Sequence, residues 1–260
     1  MGGEICEGCG ARIDAAQREE RGQGWLMQLG DCLELIRRLP DGSVDGVITD
    51  PPYGSGGFTV REIMMSSKNK YSRYDALYKK TMPDIDGDSI HPEEWMDMMK
   101  TIATETRRVL DKERGVFAFF IDWRKLGLLH RIIHDSRITV RGCVIWDKVN
   151  GRPYRGGFRS QVEFIVWGSI GKMPRSDLYL PGVLRHTTMF NGKVHFLQKP
   201  TALMSDIVRI VSPGGLILDP FAGSSTTGVA AIANGYRYHG MESVPEYYET
   251  STQRLRDAAG

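Results

Sequence analysis

Four acidic residues follow apolar runs of the sequence that are typical of β-strands. They are Asp31, Asp50, Asp219 and Glu242, and three of them are flanked by small or turn-forming residues. In open parallel sheets, ligands bind beyond the carboxyl ends of the strands. The four acids therefore predict a ligand site rich in carboxylates at one edge of a sheet.

The turn at residues 219–228 reads DPFAGSSTTG and precedes a predicted helix. Helix N-termini favour anions, but this turn matches neither of the common glycine-rich phosphate loops and contains no lysine. Asp219 would also repel a phosphate, so the turn suits a cationic or neutral group such as the ammonium of an amino acid. Glu242, at the next strand end, is placed like the acid that holds ribose hydroxyls in nucleoside-binding α/β folds. Each turn alone is compatible with ordinary α/β architecture, and their joint occurrence favours a site.

The acids are positioned by strands that alternate with segments of helical period, which indicates an α/β fold. Helical faces are predicted within residues 95–110, 126–133 and 203–211, and such an alternation is typical of a largely parallel sheet covered on both faces. The fourth and fifth strands are separated only by a polar, Gly/Arg-rich loop, which predicts an antiparallel hairpin. The seven predicted strands lie near residues 25–30, 44–50, 115–121, 141–148, 162–168, 215–221 and 236–242.

Length and composition indicate an ordinary soluble protein with a large core. The chain has 260 residues, of which 41% are hydrophobic and 25% charged. No apolar run is long enough to span a bilayer, and residues 1–10 lack the apolar core of a signal peptide. Four cysteines do not form a disulfide framework in so long a chain, so we expect a reducing, cytoplasmic compartment.

We expect a mobile N-terminal segment, residues 1–24, followed by a single catalytic domain, residues 25–260. Cys6 and Cys9 form a CxxC, which is compatible with half a zinc site or with a redox pair. A structural zinc site normally takes four ligands, and the sequence has no second pair, so we expect no metal. The polar composition after the CxxC leaves little to bury, which favours mobility.

Three sequence blocks resemble the signature of a known enzyme family. DPPY at residues 50–53, QKP at 198–200 and DPFAGSSTTG at 219–228 are similar to motifs of DNA amino-methyltransferases, in the order of the β group. The resemblance covers residues 24–255 and implies a Rossmann-like, S-adenosylmethionine-dependent methyltransferase fold. It implies methyl transfer to the N6 amine of a flipped adenine in double-stranded DNA, with N4 of cytosine as the alternative. One departure is Ser225, where the family commonly has glycine.

The resemblance also implies the roles of the site residues. Asp50 and the carbonyl of Pro51 would accept the two hydrogens of the amine, and the prolines would fix that carbonyl. These prolines are Pro51 and Pro52. Tyr53 would stack on the flipped base. No covalent intermediate is needed, so no nucleophilic cysteine is expected. The residues expected to bind S-adenosylmethionine are Asp31, Cys32, Asp50, Phe196, Lys199, Pro200, Asp219, Phe221, Gly223, Ser224, Thr226, Glu242 and Ser243.

Basic residues interleaved with aromatic ones predict a DNA-contacting surface in two inserted loops. These loops, at about 58–91 and 149–194, follow or face the strand ends that carry the site. Basic side chains contact phosphates and aromatic rings stack on bases, whereas a charge run by itself is also compatible with a solvated face. The expected DNA contacts are Arg61, Lys68, Lys70, Arg73, Lys148, Arg152, Tyr154, Arg155, Phe158 and Arg159.

The segment 169–194 is too short for a separate DNA-recognition domain. We therefore expect the double-stranded DNA to be read by the loops or by the second subunit of a homodimer. A companion restriction endonuclease is a candidate partner, a membrane is not, and the resemblance implies a bacterial or phage-encoded, nucleoid-associated enzyme. We call the DPPY motif at residues 50–53 the tetrad. RNA or protein-glutamine methyltransferases are an alternative, although the corresponding four residues typically begin with asparagine in those enzymes. A non-catalytic DNA-binding relative is another, and the intact acids argue against it.

Overall fold

A computed structural model describes residues 18–53, 90–173, 177–188 and 199–260. Within these residues, no helix is long and apolar enough to cross a membrane. The elements in chain order are β1 (Glu19–Gly22), β2 (Trp25–Leu29), α1 (Cys32–Arg37), β3 (Gly46–Thr49), α2 (Pro92–Val109), β4 (Val116–Ile121), α3 (Leu126–Asp135), β5 (Thr139–Arg152), β6 (Ser160–Ser169), β7 (Val183–Arg185), α4 (Thr201–Val208), β8 (Leu216–Asp219), α5 (Thr226–Ala233), β9 (Arg237–Glu242) and α6 (Pro245–Ala259).

The strands of the described ranges form one sheet in the order β1-β2-β9-β8-β3-β4-β6-β5-β7. β2, β9, β8, β3 and β4 are parallel, whereas β6 is antiparallel to both β4 and β5. Helices α1 to α3 pack on one face and α4 to α6 on the other. β3 and β4 are therefore buried along their whole length, which explains their continuous apolar sequences.

All seven predicted strands are present, and the predicted antiparallel hairpin is confirmed as β5 and β6. The described residues contain two further strands, β1 and β7, which pair with β2 and β5 at the two edges of the sheet. β1 lies inside the segment 1–24, so residues 19–22 of that segment form a strand of the sheet. Both additional strands are three or four residues long, and strands this short show no recognisable period in the sequence.

The three predicted helical faces belong to α2, α3 and α4, but two of these helices end earlier than the apolar pattern suggests. Leu110 follows α2 in an extended conformation and forms a parallel bridge with Val44, next to β3. Ile210 and Val211 follow α4. These side chains are on or against the core, so their apolar character reflects burial beyond the helix end.

One edge of the sheet collects the carboxyl ends of five neighbouring parallel strands, β2, β9, β8, β3 and β4. The carboxyl-terminal half of β5 and the first residues of β6 reach the same edge, because β6 is antiparallel to both of its neighbours. In this register Trp146 of β5 lies opposite Glu163 of β6. The edge therefore receives side chains from both the parallel part of the sheet and the hairpin.

Candidate active site

The four acidic residues singled out in the sequence lie at neighbouring strand ends. Asp31 follows β2, Glu242 ends β9, Asp219 ends β8 and Asp50 follows β3. These four strands are consecutive in the sheet. The structure therefore brings the predicted carboxylates together at one edge.

Asp50 accepts hydrogen bonds at both of its carboxylate oxygens. Oδ1 accepts from the hydroxyl of Tyr53, and Oδ2 accepts from Nζ of Lys199 at 2.5 Å. Burial raises the pKa of Asp50, and the nearby Lys199 ammonium opposes part of that rise. The half-buried Tyr53 packs against apolar residues on both faces of the sheet. The carboxylate and the ring are thus presented together at the end of β3.

The double-proline turn is held by a tryptophan of α2. Trp95 is fully buried, and its indole Nε1 donates to the carbonyl of Pro52 at 2.8 Å. Nζ of Lys125 lies 4.0 Å from the centre of the Trp95 ring. The carbonyl of Pro52 therefore already accepts a hydrogen bond from the protein. The carbonyl of Pro51, which is the second acceptor expected for the amine, is not the one that Trp95 contacts.

Lys199 lies between two carboxylates. Besides Asp50, its Nζ is 3.3 Å from Oε2 of Glu163, and Oε1 of Glu163 is 2.5 Å from Nζ of Lys148. Burial disfavours the Lys199 ammonium, but the two carboxylates outweigh burial and raise the pKa of Lys199. The resemblance placed Lys199 on the cofactor and Lys148 on DNA, whereas here both ammonium groups point to this acidic cluster.

Three aromatic rings surround the Lys199 ammonium. Nζ lies 5.6 Å from the ring centre of Tyr53, 5.1 Å from that of Phe120 and 5.8 Å from that of Trp146. Rings within about 6 Å of a cation attract it through their quadrupoles. The site therefore combines a half-buried carboxylate, a shared ammonium and flat apolar surfaces.

Asp219 is a buried carboxylate at the end of β8. Oδ1 accepts from the Thr49 hydroxyl at 2.6 Å and from the backbone N–H of Phe221 at 3.2 Å. Burial raises the pKa of Asp219 to about 6, and the charge of Asp50 adds to the rise. Thr49 is the last residue of β3, directly before Asp50, and its hydrogen bond thus links β3 to the turn at residues 219–228.

Glu242 organises the turn that follows β8. Oε2 accepts from the backbone N–H of Gly223 at 2.8 Å, and Oε1 accepts from that of Val244 at 2.9 Å. Burial raises the pKa of Glu242 to about 7, against the effect of these donors. The predicted residue Ser243 is exposed beside it.

The 219–228 turn has two residues with positive φ before α5. Gly223 has φ of 54°, and a Cβ added there would meet nothing within 4 Å. Ser225 has φ of 52°, a left-handed conformation that favours glycine, which explains why the family commonly has glycine at this position. Ser224 and Thr226 are buried, and Arg254 of α6 donates to the carbonyl of Ser224 and, at 3.2 Å, to Oγ1 of Thr226.

The turn after β2 places Asp31 as the N-cap of α1. Its carboxylate accepts from the backbone N–H of Leu33 at 2.8 Å, so Asp31 has a structural role at the start of α1. Burial raises the pKa of the adjacent Cys32 thiol to about 12. A thiol with so high a pKa is a poor nucleophile at neutral pH.

The tip of the β5–β6 hairpin exposes aromatic and basic side chains together. Phe158 is 98% exposed and Tyr154 is 65% exposed. Arg155 and Arg159 are also exposed. Four of the predicted DNA contacts therefore share one solvent-facing tip, unlike Lys148, which lies inside.

Some of the predicted site residues lie outside the described parts of the chain, and one residue of the site was not predicted. Pro200 is described, and it is the buried N-cap of α4 beside Lys199. Glu163 was missed, although an acid inside an apolar strand is a recognisable signal. The predictions outside the described residues concern Cys6, Cys9, Arg61, Lys68, Lys70, Arg73, Phe196 and the side chain of Arg152.

Solved structures share this architecture. The protein in the M1.HpyAVI–SAM complex superposes with a TM-score of 0.62 at 22% identity, over 88% of this chain and 98% of the other. The cytosine-N4-specific PvuII DNA methyltransferase superposes with a TM-score of 0.66 at 19% identity, over 91% and 92%. The fold is thus that of the Rossmann-like, S-adenosylmethionine-dependent methyltransferases, as the sequence predicted.

Sequence comparison narrows the class further. The family model described as DNA methylase, of the N6/N4 type, matches residues 44–181 and 171–253. The type II methyltransferase M.HinfI of Haemophilus influenzae is 28% identical over 252 residues, which span 88% of this chain and 67% of that protein. This chain belongs to the N6/N4 DNA methylase family. The predicted family and its cofactor, S-adenosylmethionine, are confirmed.

Proposed function

We propose that this chain transfers a methyl group from S-adenosylmethionine to the exocyclic N6 amine of a flipped adenine in double-stranded DNA. The observation that carries the proposal is the position of Asp50. Its carboxylate follows β3, is half-buried, and shares an edge of the sheet with Asp219 and Glu242.

Asp50 and its neighbours supply what an aromatic amine needs in order to react. The lone pair of such an amine is delocalised into the ring, and acceptors for its two hydrogens favour the pyramidal, nucleophilic form. Asp50 is one acceptor and the carbonyl of Pro51 is the other. The ring of Tyr53 stacks on the flipped base and offsets part of the few kcal/mol that flipping costs.

The adjacent turns fit S-adenosylmethionine by the chemistry of their side chains. Bound there, this cofactor supplies a methyl group activated by a positively charged sulfur. Asp219 and Glu242 provide two carboxylates for its cationic and hydroxyl groups, and the open space above Gly223 admits close approach of a ligand. Phe221, Ser224, Thr226 and Ser243 belong to the same two turns, and Asp31 and Cys32 lie at the next strand end along the sheet.

Adenine is favoured over cytosine because the tetrad begins with aspartate, whereas cytosine enzymes of the family more often begin it with serine. The structural similarity to the cytosine-N4-specific PvuII enzyme keeps N4-cytosine as the second candidate. Both reactions use the same acceptors for the amine. The choice between them therefore depends on the shape of the base pocket.

The exposed hairpin tip supports the DNA-binding part of the proposal. Arg155 and Arg159 are placed to contact phosphates, and Tyr154 and Phe158 to stack on bases. We further propose a homodimer, because the internal segment 169–194 is too short for a separate recognition domain, and a restriction endonuclease as a companion in the cell. Light scattering that gives a strictly monomeric, active enzyme on a short duplex would count against the dimer.

The reaction is tested by incubating the protein with methyl-labelled cofactor and unmethylated DNA, then digesting the DNA to nucleosides. The expected product is N6-methyladenine. N4-methylcytosine alone would replace the proposal with its alternative, and no methylated base would favour the non-catalytic relative. Single-molecule sequencing of DNA from cells expressing the chain identifies the methylated word.

The role of Asp50 is tested with Asp50→Ala. We expect kcat to fall by about 10²–10⁴-fold, because the acceptor for the amine hydrogen is lost. Cofactor affinity measured by calorimetry should survive, since Asp219 and Glu242 are unchanged. Retained turnover in this variant would remove Asp50 from the mechanism.

A further inference from the structure

The target amine would have to share the carboxylate of Asp50 with two donors of the protein. Oδ1 already accepts from Tyr53 and Oδ2 from Lys199. The Tyr53 hydroxyl belongs to the same tetrad, three residues along the chain, whereas Lys199 is 149 positions away and enters from the start of α4. The contact with Lys199 is therefore the one that another group of the protein can take over.

Glu163 has an oxygen suited to that exchange. Its Oε2 is buried, lies 3.3 Å from Nζ of Lys199, and accepts no shorter hydrogen bond from any described residue. A charge-assisted hydrogen bond is about 2.8 Å long. A shift of the ammonium by about 0.5 Å would complete the bond to Glu163 and lengthen the one to Asp50.

The surroundings of Glu163 and Lys199 favour such a small movement. Lys148 holds Oε1 of Glu163 at 2.5 Å, so Oε2 stays directed at Lys199. Phe120 and Trp146 lie within 6 Å of the ammonium and attract it independently of Asp50. Two carboxylates and two ammonium groups make the cluster neutral, which limits the electrostatic cost of the exchange.

We propose that Glu163 is a positioning residue that takes the Lys199 ammonium from Asp50 when the target amine enters, so that the lone pair of Oδ2 that the ammonium occupied accepts the amine hydrogen. This inference rests on the proposed function, because it specifies how the same site admits its substrate. No bond is formed or broken in the exchange. One hydrogen bond of Lys199 lengthens as the other shortens.

Glu163→Gln tests the exchange. The amide oxygen can keep the contact with Lys148, but the amide N–H₂ then faces the Lys199 ammonium and drives it towards Asp50. We expect kcat for DNA methylation to fall by about 10- to 100-fold, with cofactor affinity changed by no more than about twofold. Glu105→Gln is the matched control, since Glu105 is also a partly buried acid with an ion pair, 2.7 Å from Arg108, and belongs to α2. Its kcat should equal that of the wild type.

A double-mutant cycle with Lys199→Met separates positioning from a structural effect. If Glu163 acts through Lys199, Glu163→Gln lowers the single-turnover rate in the wild-type background and has no further effect when Lys199 is absent. Equal losses in both backgrounds, or an unchanged kcat in Glu163→Gln, would overturn the inference. Glu163→Asp keeps the charge and should retain more activity than Glu163→Gln, which provides a second test if the glutamine variant folds poorly. Methylation by the wild type decides the proposed function separately.

Discussion

Replacing Trp95 with phenylalanine should disturb the tetrad without touching the cofactor turns. The substitution removes one donor, the indole N–H that holds the Pro52 carbonyl at 2.8 Å. It keeps an aromatic ring in the fully buried helix position. The carbonyl is partly buried, so little water can replace the lost donor.

The expected magnitude follows from that single acceptor. Leaving a buried polar group unsatisfied costs about 1–3 kcal/mol, and the smaller ring leaves some empty volume in addition. For a domain of this size, 1 kcal/mol corresponds to a shift of about 2–4 °C in Tm, so we expect a decrease of about 4–8 °C. Because a displacement of about 1 Å in a reacting group can cost about 10²-fold, we expect kcat to fall by about 10- to 100-fold.

Thermal unfolding, calorimetry with S-adenosylmethionine and steady-state DNA methylation measure the three consequences. Trp25→Phe is the matched control, because the buried indole N–H of Trp25 has no hydrogen-bond partner among the described residues. It should lose less stability than Trp95→Phe and keep its kcat. If Trp95→Phe has a wild-type kcat and is no less stable than the control, the indole does not hold the tetrad.

Three further expectations follow from the site. Burial raises the pKa of Glu242 from its ordinary 4.5 to about 7, so its stabilising effect is present below pH 4.5 and lost as the pH rises through 7. In urea titrations the wild type should lose about 3 kcal/mol more unfolding free energy than Glu242→Gln between pH 4.5 and pH 8, because the other buried groups that titrate in this window are common to both proteins. An equal pH dependence of stability in the two proteins would contradict the assignment. Ser225 has positive φ, so Ser225→Gly should be more stable than Ser225→Ala by about 1 kcal/mol in thermal unfolding, and equal values would argue against strain there. Arg155→Ala and Arg159→Ala should each reduce the salt dependence of DNA binding, the slope of log K against log salt, by about 1, whereas an unchanged slope would place the hairpin tip away from the phosphates.

The sequence predicts the central sheet and the position of its ligand edge. Fully buried parallel strands need continuous apolar runs, and the helices between them need an apolar face, so both periods are visible in the chain. The strand ends with Asp50, Asp219 and Glu242 are recognisable because turns at that edge use small residues and prolines. The short edge strands β1 and β7 are not predictable in this way, because pairing with β2 and β5 stabilises them and their own residues show no period.

By itself, the sequence determined the fold class, the family and the acids at the strand ends, because these depend on local periodicity and on short contiguous motifs. Only the tertiary structure decided the partners of those carboxylates. Lys199 reaches Asp50 and Glu163, and Trp95 reaches Pro52, across separations of 149, 36 and 43 residues. Such contacts arise from the order of the strands and the antiparallel direction of β6, which no local pattern encodes. The tetrad is a motif in the sequence, and the fold supplies the ammonium, the second carboxylate and the indole that hold it in place.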